Sequence, residues 1–345
     1  MNLLFNENEL DYNIFKIEKI TLFKIENKNI IVTNNTHPHR KNLIVKFLKD
    51  IINIYPNLKL NLYLCLLDYV GFNKIDIIDI RKNKIDDPHK HKFEWGNSKT
   101  SDDIFRIVNS KQNSFNCPVF TFTKYKYNNC LPFPSLQLIS FQVVKDNILF
   151  ENKKNNILCM RNSNICCDLN NISRIKSLEY SFKNPSILDF KLGSKNKHSK
   201  FGNYVINKAL LNLYKYEKII DEKIDNNDFI EYFNYKNYIS CQEIIENNKY
   251  LFLPFGGRYL SFYKSNCLLF RYKNDDWLTY EDYIFGDSLV KIDFNEIEEK
   301  INYYNENETI CKEIIKKRLD IFNKRLKYDN LVKEFGLYLV NNFSK

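Results

Sequence analysis

The 345-residue chain holds only eight glycines, eight prolines, two methionines and two tryptophans. So few backbone breakers exclude collagen-like and Gly/Pro-rich low-complexity chains. No two of its nine cysteines stand in a C-x-x-C spacing, so neither a zinc ribbon nor a disulfide framework is indicated. An odd number of scattered thiols, with Cys166 and Cys167 adjacent, reads as reduced cysteine in a cytoplasmic or nuclear protein. The first residues, Met-Asn-Leu-Leu-Phe-Asn-Glu-Asn-Glu, lack the basic start and apolar run of a secretion signal. No uncharged stretch reaches the length of a membrane span.

What is present is a globular composition, 44% hydrophobic and 27% charged, enough for a core in one large domain or two lobes. Lys and Arg number 52 against 42 Asp and Glu, a net charge of +10. That excess favours an anionic partner: a nucleotide, an inositol phosphate, a nucleic acid or an acidic membrane. The 23 tyrosines and 27 phenylalanines fall mostly in periodic stripes rather than beside lysine clusters, which disfavours base stacking.

Ile17–Ile25 and Ile30–Thr33 read as a hairpin. His37 and His39 flank Pro38 in a predicted turn with no acidic or thiol partner near, a weak metal signal. From Lys41, the spacing of Ile44, Phe47, Leu48, Ile51 and Tyr55 predicts a helix that Pro56 ends. Residues 81–115 are polar and read as an inserted loop, 119–123 and 136–144 as strands, and 204–250 as helical. Ile310, Ile314, Leu319, Phe322 and Leu326 form a late helical stripe.

The stretch that carries chemistry is Pro185-Ser-Ile-Leu-Asp-Phe-Lys-Leu-Gly193. On an extended segment Asp189 and Lys191 share one face with Ile187, while Leu188, Phe190 and Leu192 point into a core. A carboxylate and an ammonium so placed suit phosphoryl transfer, the acid orienting a hydroxyl and the cation following the moving charge. The segment after Gly193 carries Lys195, Lys197, His198 and Lys200 without an acid, a composition for a polyanion.

The pattern Pro-x-x-x-Asp-x-Lys-x-Gly resembles the signature of the inositol polyphosphate kinase family. Other islands follow in the family's order. They are Tyr55-Pro-Asn-Leu with Leu67-Asp-Tyr-Val-Gly71, Ile165–Ser173, Phe262–Phe270, Leu289-Val-Lys-Ile-Asp-Phe-Asn295 and Asp329–Leu339. The resemblance implies an α+β, two-lobed kinase-like ATP-grasping fold. Residues 1–169 would be an N-lobe of antiparallel sheet with one main helix, 170–173 the hinge, and 174–345 a larger C-lobe of helices on a sheet. It implies an enzyme that moves the γ-phosphoryl group of ATP to a hydroxyl or phosphate of an inositol polyphosphate. Asp189 and Lys191 would be catalytic, and Lys195, Lys197, His198 and Lys200 would hold substrate phosphates. Asn170, Asn171 and Ile172 would hold adenine, and Asp293, helped by Asn266, would hold Mg²⁺.

The chain departs from the family at Thr33, where an ATP-phosphate lysine is expected and for which Lys28 or Lys41 are the substitutes. It also has Asn266-Cys267 in place of two serines and Asp68 in place of a proline. These departures keep open a ligand-binding pseudokinase without turnover. A basic nucleic-acid-binding protein is the remaining alternative.

Overall fold

The computed structural model describes residues 21–25, 28–32, 38–58, 62–65, 119–121, 123–125, 131–134, 146–162, 172–193, 223, 234–235, 241–253, 262–273 and 277–343. The strands predicted over 136–144, the inserted loop 81–115, and Gly71 and Asp68 lie outside them.

β1 (Thr21–Ile25) and β2 (Lys28–Val32) pair antiparallel, with Leu22 opposite Ile31, which is the expected hairpin. α1 follows over Pro38–Ile54. It begins three residues before Lys41, because proline needs no N–H partner and its fixed φ suits the first helical position. It ends short of Pro56, whose ring disfavours helix in the residue ahead of it. Ile44, Phe47, Leu48 and Ile51 are buried, the stripe that three-and-four spacing predicts.

β3 (Leu62–Cys65), β4 (Val119–Thr121) and β6 (Leu131–Pro132) complete a five-stranded sheet in the order β1-β2-β3-β4-β6, while β5 (Thr123–Tyr125) lies outside it. The expectation of an antiparallel N-terminal sheet is corrected here. Past the first hairpin, β2–β3, β3–β4 and β4–β6 are all parallel. α1 is the physical reason, since parallel neighbours need a crossover and this helix supplies the one between β2 and β3.

The second sheet begins with β7 (Asn155–Asn162), then α2 (Ile172–Lys183), β8 (Leu188–Gly193) and β9 (Asn234–Tyr235). α3 (Cys241–Asn247) leads into β10 (Asn248–Phe252) and then β11 (Leu268–Tyr272). β12 (Trp277–Thr279) and α4 (Tyr280–Phe285) precede β13 (Val290–Ile292). The order is β13-β11-β10-β7-β8-β9 with every pair parallel. Counted by appearance in the chain, that is 3-2-1-4-5-6 read from β9, the doubly wound order. α5 (Ile297–Glu306), α6 (Glu308–Ile321) and α7 (Tyr328–Phe343) close the chain.

Two expected spans divide. β7, within the expected span 1–169, belongs to the second sheet. The span 204–250 is not helical throughout, since Asn234–Tyr235 and Asn248 onward are strand.

Both faces of this sheet are covered, as a parallel sheet requires. On one face Leu158, Met160, Phe190, Tyr250 and Phe270 pack under Ile297 and Ile301 of α5. On the other, Cys159, Leu251 and Leu269 join a cluster that includes Phe47 of α1 and Phe335 of α7. Each such side chain is worth about 1.5–3 kcal/mol when fully buried, and this second cluster is what holds the two sheets together.

The last helix therefore packs on the first. The rings of Phe47 and Phe335 lie 5.9 Å apart, and Phe133 meets Phe335 edge-on at 5.3 Å. The crossing is close at Gly336, where a Cβ would sit 2.5 Å and 2.7 Å from two ring carbons of Tyr55. That ring is tethered, because its hydroxyl donates to the Lys333 carbonyl at 3.0 Å. An exposed helical Gly→Ala change ordinarily gains about 1 kcal/mol. Gly336→Ala should instead lose about 1–3 kcal/mol through overpacking, read as a lower urea midpoint; a raised midpoint would show that the helices have room to spare.

Candidate functional site

β8 alternates as the sequence implies. Leu188 and Phe190 are fully buried, and Asp189 and Lys191 share the opposite face. Ile187 does not join them. It belongs to the turn before the strand, where its N–H bonds to the Asn184 carbonyl, and it packs with the Leu188 cluster.

Parallel register sets Cys159 of β7 beside Asp189 and Arg161 beside Lys191. The Arg161 guanidinium pairs with the Asp189 carboxylate. It also donates to the Asp189 carbonyl at 2.6 Å and to the Met160 carbonyl at 3.0 Å. Arg161 is thereby aimed along the sheet edge, and Asp189 acts as its anchor. Burial holds the Lys191 ammonium below its usual range, Asp189 opposes that, and Arg161 adds to it. Nothing in the sequence pairs residues 28 apart, so Arg161 was missed there.

The same level of the sheet carries two more cations on this face, Arg271 of β11 and its register partner Lys291 of β13. Asp282 of α4 receives Arg271 in a two-pronged bond, Nε to Oδ1 at 3.1 Å and Nη2 to Oδ2 at 2.8 Å. Lys291 Nζ lies 3.7 Å from Asp282 Oδ1. Burial by itself would raise the Asp282 carboxyl, but Arg271 and then Lys291 outweigh it and leave the pKa below the ordinary range. Among the described residues, the cations Lys191, Arg161, Arg271 and Lys291 thus stand with the carboxylates of Asp189 and Asp282 along the carboxyl ends of the strands. In doubly wound sheets that end, where the strand order reverses, is where ligands bind. Here the reversal lies between β7 and β10.

The other expected residues divide. Asp293 follows β13 immediately and caps a 3₁₀ turn, accepting from the Phe294 N–H at 2.7 Å. Lys273 lies 3.9 Å from it and 2.7 Å from Glu296. β13 and β8 are four strand intervals apart, roughly 19 Å at 4.8 Å per interval. Asp293 is therefore not brought into one cleft with Asp189 and Lys191 by the sheet.

Asn266 stands at the opposite end of β11, before Leu268. Its side-chain amide donates to the carbonyls of Asp146 and Ile148 at 3.1 and 3.2 Å. Asn266 and Asp293 are separated by about seven residues of strand rise, roughly 23 Å, whereas two ligands of one Mg²⁺, each about 2 Å from the ion, lie within roughly 4 Å of each other. The strand geometry does not bring these two expected metal residues together. Among the described residues, no group of three His, Cys, Asp or Glu side chains is placed to hold a metal ion.

Ile172 starts α2, a crossover between two strands of one sheet, and so does not join two lobes. Asn170, Asn171, Lys195, Lys197, His198, Lys200 and Thr33 lie outside the described residues. Lys28 opens β2 and Lys41 lies in the first turns of α1.

No family model matches the chain, and no curated protein matches it at a significant level.

Because the folded-state pKa of Asp282 is depressed, its stabilising contribution is complete above the ordinary aspartate range, near 3.8. It disappears as pH falls through the lower folded value. Losing one partner of a buried pair costs about 3–5 kcal/mol, so urea unfolding of wild type should weaken steeply below pH 4. Asp282→Asn should already be weak at pH 7 and show a flatter acid limb. Equal acid limbs would place the lost stability elsewhere.

Proposed function

We propose that this protein is a group transferase that binds a nucleoside-diphosphate-activated donor at the carboxyl edge of its second sheet. The observation that carries the reading is the pair Arg161 and Lys191 on adjacent parallel strands, beside the reversal point of a 3-2-1-4-5-6 sheet. Phosphates are the ligand class this edge favours, through cations and backbone N–H groups.

Two sequence segments add support. Ser194–Lys200 follows β8 directly, and Pro254-Phe-Gly-Gly-Arg258 follows β10 shortly after its end. Both lie outside the described residues, yet both leave strands that flank β7. Glycine pairs let a backbone approach phosphate closely, and Arg258 adds a guanidinium suited to phosphate oxygens.

The donor class follows from where the charge develops. When a glycosyl group leaves a nucleoside diphosphate, negative charge grows on the departing diphosphate. Arg161 and Lys191 would stabilise that oxygen anion by preorganised charge. Asp189, engaged by Arg161, would keep the guanidinium aimed rather than take a proton.

A second reading is the ATP- and Mg²⁺-dependent kinase acting on an inositol polyphosphate, in a two-lobed ATP-grasping frame, or its non-catalytic binding counterpart. The observation favouring it is that Asp189 and Lys191 do share one strand face, with basic residues 195–200 next in sequence.

Titration with UDP, GDP, ADP, ATP and inositol hexakisphosphate, followed by assays of nucleotide release from sugar donors, separates the two. The transferase reading expects a nucleoside diphosphate to bind. It expects Arg161→Gln and Lys191→Met each to weaken binding about 10-fold or more, since a charge-assisted hydrogen bond is worth about 1.5–3 kcal/mol. Consumption of ATP on an inositol phosphate, with sugar nucleotides neither bound nor cleaved, would overturn it in favour of the kinase.

A further inference from the structure

We infer that Asp282 is a positioning residue that couples the docking of β5 on β12 to the geometry of the phosphate edge. The inference rests on the transferase reading for what the edge binds, but not for the coupling itself.

β12 stands outside the second sheet and pairs antiparallel with β5, setting Thr279 opposite Thr123, Leu278 opposite Lys124 and Trp277 opposite Tyr125. This pairing is a backbone connection between a strand from the N-terminal part of the chain and the segment that precedes α4. Thr279 ends β12 and caps α4. Its N–H and hydroxyl donate to Asp282 Oδ2 at 2.9 and 3.1 Å, and the Asp282 N–H returns a bond to the threonine oxygen at 3.3 Å. That reciprocal capping box fixes the direction in which β12 enters the helix.

The carboxylate that closes this box is also the one that holds Arg271. Both side chains are nearly sealed from solvent, Arg271 4% and Asp282 3% exposed. The third guanidinium nitrogen, Nη1, donates to the Leu253 carbonyl at 3.2 Å. Leu253 is the residue at which the chain leaves β10, the strand on one side of the reversal point. Lys291 approaches the same carboxylate from β13.

One side chain therefore has two sets of partners. Toward β12 it orients the strand that meets β5; toward the sheet it holds Arg271, and through it the exit of β10. Planar two-pronged pairing transmits orientation as well as attraction. In a buried site neither set can move without weakening the other, because the carboxylate has no water to fall back on. Opening of the β5–β12 ladder and displacement of the β10 exit are on this geometry one event. A transferase that must admit two substrates and then exclude water has use for such a link.

The test combines hydrogen exchange with binding of inorganic pyrophosphate. Thr279→Ala removes the hydroxyl of the cap and leaves the Asp282–Arg271 pair in place. It should raise exchange at amides 123–125 by fivefold or more. It should also raise exchange at 251–253, while pyrophosphate affinity falls two- to fivefold. Asp282→Asn should raise exchange at both places and weaken pyrophosphate tenfold or more. Should that variant fold poorly, Asp282→Asn with Arg271→Gln removes the stranded charge and should restore folding but not affinity.

Faster exchange at 123–125 with 251–253 and pyrophosphate affinity unchanged would overturn the coupling. Linked exchange at both places in a protein that binds neither pyrophosphate nor any nucleotide would uphold the coupling and sink the transferase reading.

Discussion

The structure depends on the parallel register of β7 with β8 on one side and β10 on the other. A strand with parallel neighbours on both edges has to be buried on both faces, since each crossover lays chain over the sheet. Leu158 and Met160 meet one layer and Cys159 the other. That two-sided burial leaves few places for charge. Arg161 and Lys191 are tolerated because they stand at the end of their strands, where the apolar layer stops and the Asp189 carboxylate and carbonyl can receive a guanidinium.

Polar groups inside the rest of the molecule follow the same economy. Lys153 is buried against Asp146 at 3.0 Å, and the same carboxylate accepts the Asn266 N–H, so the segment before β7 is fastened to the start of β11. Arg318, fully buried on α6, donates to the carbonyls of Tyr263 and Ser265 in the turn before β11, and burial presses its pKa down to about 10. Burial likewise pushes the thiols of Cys159 and Cys267 up, to about 12 and about 11, which makes them core residues and not nucleophiles. At the amino ends of the strands the ions serve cohesion; at the carboxyl ends Arg161, Lys191, Arg271 and Lys291 share one face and one level of the sheet.

Much of the local structure was legible. The hairpin of β1 and β2, the α1 stripe, the alternation of Leu188, Asp189, Phe190 and Lys191, and the late helices all come from short-range periodicity, which side-chain spacing sets directly. What misled was assembly. Ile165–Ser173 reads as an apolar run entering an Asn-rich stretch, which suits a hinge, and its last described residues open α2. Asp293 ends an apolar strand, which suits a metal ligand, but its carboxylate caps the next turn. Asn266 sits near an apolar strand too, at the wrong end of it.

The amino-acid order alone determined the first hairpin, the α1 stripe and the late helices, which residues of β8 face away from the core, and that the molecule carries an excess of cations suited to an anionic ligand. Those properties depend on neighbours within a few residues, so the chain states them locally. Tertiary structure decided that the second sheet is parallel throughout and the first is parallel past its hairpin, that Arg161 rather than Asp293 stands beside Asp189 and Lys191, and that Asp282 joins the β12 bridge to the cation row. Strand order and register arise from the packing of both faces at once, and that competition among distant segments has no local signature.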